Sequence, residues 1–244
     1  MEIQSIENIN EDDIKSLIYQ SNSSWFHHTE QWRMYTLNMR DDGSSDLSFG
    51  VVQNNKLVAF APLVKEYIFN SKGKDEFSMA GLPSVYPMFS NTLSANNKEK
   101  IENLIFKHIF NIAKKENISY MNFYVSPLGC AFLDKEIVIN PLPKFGFHDT
   151  TISTNILSLG RQEDVLFRNF RKGTKSDIKT AIKNGIKVKI YNSENITREV
   201  FNKYKKVHFQ AAKRQTRPDN TWDIMFEWVQ KDFSILSIAT KNDK

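Results

Sequence analysis

A chain of 244 residues holds one large domain or two small ones, and 40% hydrophobic residues with 18 phenylalanines suffice for packed cores, which excludes a disordered protein. The single cysteine, Cys130, excludes an internal disulfide and a cysteine-rich zinc cluster, and it points to a reducing compartment. The net charge of +5 is uneven: residues 161–217 carry sixteen Lys and Arg against five Asp and Glu, a net +11 that leaves −6 for the rest, and such a concentration points to a phosphate-bearing partner or an acidic surface.

The opening MEIQSIENINEDD is acidic and alternating, the reverse of a signal peptide. The longest apolar run, Leu57 to Val64, falls far below the ~20 residues that span a bilayer. A soluble, cytoplasmic protein without a transmembrane segment is expected.

In chain order, MEIQSI alternates as a strand, and INEDDIKSLIYQ has an acidic start and helical spacing at Ile14, Leu17 and Ile18. SSWFHHTEQWRMY predicts a shorter helix, with Thr29 as N-cap and Trp32 and Tyr35 facing inward. LSFGVVQNNKLVAFAPLVKEY reads as a β-hairpin turning at Asn54–Asn55. MAGLPSVYPMFSN is punctuated by glycine and proline and reads as an apolar loop. NNKEKIENLIFKHIFNIAKKENISYMNFYV is an amphipathic helix running into a strand, and PLPKFGFHDTTISTNILSL predicts a turn and a long strand.

A basic helix follows Leu159 and ends at Gly185, which is placed to cap it in the left-handed region before the strand IKVKIY. At ~100° per residue, Arg168, Arg171, Lys172, Lys175, Lys179 and Lys183 share one stripe. Leu166, Phe170, Ile178, Ala181 and Ile182 form the opposing or flanking apolar face, which is expected to be buried. Gly173 inside this helix costs roughly 1 kcal/mol against alanine and predicts a close approach or a bend.

The remainder repeats the beginning. Strand, turn and helix recur in VKIYNSENITREVFNKYKKV, a second helix in NTWDIMFEWVQ, and a strand and turn in FSILSIATKND. This order predicts an internal duplication of one α/β unit. The second copy reaches Lys244 in the turn of its hairpin, at Asn242–Asp243, so the expectation is a fragment, a truncated product or a partner that supplies the remaining strands.

Three motifs in order, FHHTEQW, KFGFHDTTISTNILSL and KGTKSDIKTAIKNGIKV, resemble the GNAT acyltransferase fold in the twinned form of the Fem-type aminoacyltransferases. The resemblance implies a mixed α/β (α+β) protein: a twisted mixed sheet flanked by helices in a first unit over 1–159, a basic connecting helix over 160–185, and a partial second unit over 186–244. It implies transfer of an acyl or aminoacyl group to an amine of a cell-envelope precursor, an amino sugar or a peptidoglycan or surface-polysaccharide intermediate. The co-substrate is acyl-CoA or an aminoacyl-tRNA, with no tightly bound cofactor. The acceptor is a phosphate-bearing small molecule or a lipid-linked one, which allows tRNA as a partner and peripheral membrane contact.

The resemblance also carries site residues. The family's basic helix faces acceptor phosphates, which implicates Arg171, Lys172, Lys175 and Lys179, with lysine at 175 and 179 where arginine is usual; a solvated basic face is the other reading. Arg33 stands where the family often has a lysine after the helix tryptophan. Tyr86, with Ser84 beside it, falls in the loop that lines the acceptor cleft, or in a loop that caps the core.

A second basic cluster, with Lys213, Arg214 and Arg217, faces tRNA or the 3′-phosphate of coenzyme A in a twinned transferase, or else water; Tyr204 and Phe209 within it read as core. His27, His28 and His208 are candidate proton acceptors, the catalytic residue is unassigned, and no ligand spacing supports a metal. The GNAT pyrophosphate loop, basic-x-x-Gly-x-Gly, does not occur in the sequence, which puts coenzyme A binding in question. The competing functions are a non-catalytic anionic-ligand or nucleic-acid binding protein and an inactive fragment of such a transferase.

Overall fold

The computed structural model describes residues 1–40, 43–68, 74–128, 140–152 and 154–241. Cys130 and the expected turn at Asn242–Asp243 lie outside the described residues. The chain forms two compact units, one of residues 1–151 with 217–221, the other of 152–216 with 222–244.

In the first unit, β1 (Glu2–Ser5), β3 (Phe49–Gln53), β4 (Lys56–Ala61) and β8 (Met88–Phe89) form an antiparallel sheet in the order β1-β3-β4-β8. The β3–β4 hairpin turns where expected, with Asn54 and Asn55 both at positive φ (51° and 57°), the geometry of a type I′ turn that asparagine tolerates. Two helices cover this sheet. From α1 (Glu11–Gln20), Ile14 and Leu17 pack on Phe60 and Met88, which pair across β4 and β8. From α3 (Ala95–Lys115), Ile101, Ile105 and Ile109 cover the opposite face with Val51, Ala59 and Phe89. Full burial of one such side chain contributes about 1.5–3 kcal/mol. Side chains crowd over Gly50: a Cβ there would lie 2.8 Å from Ile9 Cδ1 and 2.4 Å from Leu57 Cδ1, so both side-chain ends would have to shift to admit one.

A second sheet runs β10 (Phe123–Tyr124), β7 (Leu82–Val85), β6 (Lys74–Met79), β5 (Val64–Ile68), β2 (Ser45–Asp46), with β9 (Tyr120–Met121) on β6. Here the sequence reading needs correction, since MAGLPSVYPMFSN contains β7 and β8 and is not a loop. Pro83 sits opposite Ser78 near one end of the β6–β7 ladder, and Pro87 falls between β7 and β8, so the prolines punctuate strands without removing them. Among the described strands, β7–β10 and β6–β9 are the parallel pairs.

The long strand expected over TTISTNILSL is also corrected. Its described residues have no regular secondary structure and are exposed, Ile152 at 86% and Leu159 at 74%. A β-branched composition alone does not make a strand where the backbone finds no ladder partner.

In the second unit, the single basic helix is two: α4 (Glu163–Asn169) and α5 (Lys172–Lys183), broken where Phe170 and Arg171 adopt extended ψ near 150°. Gly173 is not the cause, since a Cβ there would meet open space. The apolar face of α5 is not fully buried: Ile178 and Ala181 are half-buried and Ile182 is 68% exposed. Gly185 does cap the helix, at φ 73°. Then come β11 (Ile186–Tyr191), α6 (Arg198–Ala212), α7 (Asp219–Gln230) and β12 (Leu236–Lys241), with β12 antiparallel to β11. The core of this unit is Phe201, Trp222, Phe226, Val229 and Leu236, with Tyr204 and Phe209 packed on it. Among the described residues no helix is long and apolar enough to cross a membrane.

Candidate functional site

Ligand sites in α/β sheets form beyond the carboxyl ends of parallel strands, where adjacent backbones part. In the first unit that place is the end of β7 and β10, where Val85 pairs with Tyr124 and the Tyr86 N–H donates to the Tyr124 carbonyl at 2.9 Å. Ser84 pairs with Phe123, whose ring lies in the core, so residues 84 and 86 face inward and Tyr124 faces the other side.

On that other side the segment 25–37 assembles an aromatic stack. Phe26–His28 forms one 3₁₀ turn, and Thr29 then caps α2 (Glu30–Leu37) by accepting from the Trp32 N–H at 3.3 Å. Trp32 and Tyr35, three residues apart, share a helix face and stack at 5.3 Å. The His27 imidazole stacks on Trp32 at 4.3 Å, and Trp25 meets His27 edge-on at 4.7 Å. Tyr124 lies 6.1 Å from both Trp25 and His27. Arg217 closes the far end, donating from Nη1 to the Tyr35 hydroxyl at 3.1 Å.

Burial pushes the His27 pKa down to about 4, so its imidazole is neutral near pH 7 and keeps a lone pair. His28 is fully engaged: it contacts the Tyr86 carbonyl through Nε2 at 2.9 Å and the Trp25 N–H through Nδ1 at 3.1 Å. The Trp25 indole Nε1 is buried without a hydrogen-bond partner among the described residues.

The residues singled out from sequence fall in different places. Arg33 is buried, bound to Glu11 at 2.8 Å and Asp46 at 3.0 Å. The Tyr86 ring packs on Phe89 and Phe106 within the core and does not line the stack, while its carbonyl holds His28. Ser84 is fully buried, its hydroxyl without a partner among the described residues.

In the second unit Lys172 and Lys179 are exposed, Arg171 Nε donates to Thr174 Oγ1 at 3.1 Å, and Lys175 Nζ donates to the Arg168 carbonyl at 3.2 Å across the helix break. Lys213 ends α6 at φ 56°, and Lys213 and Arg214 are exposed. His208 is tied to Thr216 Oγ1 at 2.7 Å and packs on Trp222. Among the described residues no three His, Cys, Asp or Glu side chains gather as a metal site.

Sequence reasoning missed Trp25, Tyr124 and the pairing of Arg217 with Tyr35. Trp25 carries a local signal, two residues before His27 in an aromatic run. Tyr124 reaches the stack through parallel pairing between distant segments, which no local pattern announces.

No family model and no curated protein matches the chain. Among solved structures, FemX is similar over 98% of this chain and 57% of its own, with 14% sequence identity and a TM-score of 0.57. A predicted acetyltransferase from Clostridium acetobutylicum, solved with acetyl-CoA, overlaps 66% of this chain and 99% of its own, at 16% identity and a TM-score of 0.36. The likeness to FemX gives the chain a FemX-like fold of mixed α/β class, and the chain spans 57% of the length of the FemX structure.

Proposed function

We propose that this chain takes part in the transfer of an acyl or aminoacyl group to an amine of a phosphate-bearing cell-envelope precursor. The observation that carries the reading is the likeness in fold to FemX along 98% of the chain. The half-buried, neutral His27 in its aromatic wall supports it.

In such a transfer a neutral amine attacks the carbonyl of an ester or thioester. A C–N bond forms, the C–O or C–S bond breaks, and the amine proton leaves for a base and then for the departing oxygen or sulfur. His27 has the free lone pair for that proton. A base with a pKa of about 4 does not deprotonate an ammonium in advance, so the proton moves as the C–N bond forms and the amine nitrogen acidifies. Trp25, Trp32 and Tyr124 give the acceptor a flat, low-dielectric surface, and Arg217 offers positive charge at its edge. Taken by themselves, the exposed Lys172 and Lys179 are suited to phosphate.

The second reading is binding of an anionic ligand without chemistry, favoured by the exposure of those lysines. The test is single-turnover transfer from radiolabelled acetyl-CoA, and from charged tRNA, to a nucleotide-linked amino sugar and to a nucleotide-linked peptide amine. Label in the acceptor that is lost in His27→Ala supports transfer. Acceptor binding without label transfer supports the second reading.

A further inference from the structure

A groove of about 380 Å³ opens in the first unit between β1, the chain leading into β3, and the second half of α3, away from the aromatic stack. Its volume lies in the range of small-molecule sites. The floor is apolar, formed by Ile3, Leu47, Phe49 and Ile112.

The rim carries opposite charges. His108, Ile112 and Lys115 share one face of α3 by their spacing of four and three, and Glu7 stands at the β1 side. Two other carboxylates of the lining are already engaged, Asp46 by Arg33 at 3.0 Å and Glu116 by Lys65 at 3.1 Å. Glu7 and Lys115 have no ion-pair partner among the described residues. His108 is half-buried with its ring edge-on to Phe49 at 4.6 Å, and neither ring nitrogen hydrogen-bonds within the described protein. The ring is only partly buried and its nitrogens are open to water, so a ligand carboxylate can reach them from the groove.

We infer that this groove binds a small aliphatic amino acid as its zwitterion, with the ammonium toward Glu7, the carboxylate toward Lys115 and His108, and the side chain on Phe49 and Ile112. The unengaged rim charges cancel, which disfavours a simple anion or cation, and the floor favours a hydrocarbon side chain over a polar one. The burial that lowers the His108 pKa keeps its ring neutral and able to donate one hydrogen bond to a carboxylate. The site is independent of the transfer reaction proposed above, and its occupant need not be a substrate.

The experiment follows the His108 imidazole by NMR in the full chain labelled at histidine, its resonance assigned by its loss in His108→Gln. L-leucine is the probe, with leucinamide and N-acetylleucine each lacking one charge. The expected result is a saturable shift with leucine at a Kd of about 1 mM or tighter, and about tenfold weaker binding in Glu7→Gln and in Lys115→Gln. Both derivatives should bind at least about tenfold more weakly than leucine. No saturable shift with leucine overturns the site. Equal shifts from all three ligands overturn it as well, because they indicate adsorption to the apolar floor alone.

Discussion

His28 Nε2 lies 2.9 Å from the carbonyl oxygen of Tyr86. A carbonyl only accepts, so Nε2 carries the proton and Nδ1 is left to accept from the Trp25 N–H at 3.1 Å. This neutral ring, 1% exposed, ties the turn that bears Trp25 and His27 to the end of β7. A second proton would face an N–H donor and would find only the Trp25 carbonyl at 3.3 Å. Burial outweighs that contact and pushes the pKa down to about 3.

Folding stability carries the consequence. Because the folded pKa of about 3 lies below the unfolded value of 6.5, the unfolded chain takes up the proton first as pH falls. The contribution is complete above 6.5 and is lost as pH falls toward 3, at about 1.4 kcal/mol per pH unit. His28→Gln keeps a donor for Tyr86 and does not titrate. Urea midpoints of the two proteins should converge between about pH 6 and pH 4. A gap that stays constant with pH would show that His28 is not buried as a neutral ring.

Arg33 joins α1, α2 and β2 through Glu11 and Asp46, and its side chain is 8% exposed. Removing it leaves two partly buried carboxylates without a counter-ion. Arg33→Met should therefore cost about 3 kcal/mol, at the low end for a broken buried pair because both carboxylates keep some contact with water. Arg33→Lys should recover part of that loss. A denaturation midpoint unmoved in Arg33→Met, together with a large loss of acceptor affinity, would return Arg33 to the ligand-binding role its position suggested.

Short-range chemistry made much of this fold legible. The Thr29 cap, the paired asparagines at 54 and 55, the inward Ile14 and Leu17 and the Gly185 cap each depend on a few neighbouring residues. What failed depended on partners elsewhere. Strands of two to four residues, such as β7 and β8, are too short to display alternation, and their prolines look like loop signals. TTISTNILSL is rich in β-branched residues, yet its described residues form no strand. The wheel of the basic helix gave no hint of the break at Phe170–Arg171, since helical periodicity continues through it. The stack was half legible for the same reason: His27, Trp32 and Tyr35 are local, whereas Tyr124 and Arg217 arrive through tertiary contacts.

If His27 takes the acceptor's proton, the pH dependence of kcat/KM for the transfer reaction should show its acidic limb near the His27 pKa of about 4, not near the ordinary histidine value of 6.5. His27→Ala should lower kcat by about 10²-fold, the usual contribution of general-base catalysis, with little change in urea midpoint. An acidic limb near 6.5 that persists in His27→Ala would assign the base elsewhere.

Lys172 and Lys179 are exposed on α5, and among the described residues Lys175 Nζ reaches only a backbone carbonyl. Alanine at 175 and 179 should each weaken a nucleotide-linked acceptor by about 1–2 kcal/mol, the contribution of a charge-assisted bond, and leave the denaturation midpoint nearly unchanged. Isothermal titration of the double variant is decisive: unchanged affinity would make the stripe a solvated face.

The donor can be distinguished by salt. A tRNA donor needs several phosphate contacts, and sixteen Lys and Arg within residues 161–217 can supply them, with Lys213 and Arg214 exposed at the end of α6. Each neutralised phosphate releases counterions, so log affinity should fall with log salt at a slope of about −0.7 to −0.9 per contact. Coenzyme A carries few phosphates and would give a shallow slope. Arg217 is engaged with Tyr35 and Lys175 with a carbonyl, so two of the cationic groups begin with partners to give up. Lysine at 175 and 179 also grips phosphate as a point charge, without the bidentate fork of arginine. These features favour a small thioester donor. Affinity for acetyl-CoA and for charged tRNA, measured from low to physiological salt, should show shallow dependence and acetyl-CoA preference; tight, salt-steep binding of tRNA alone would reverse the assignment.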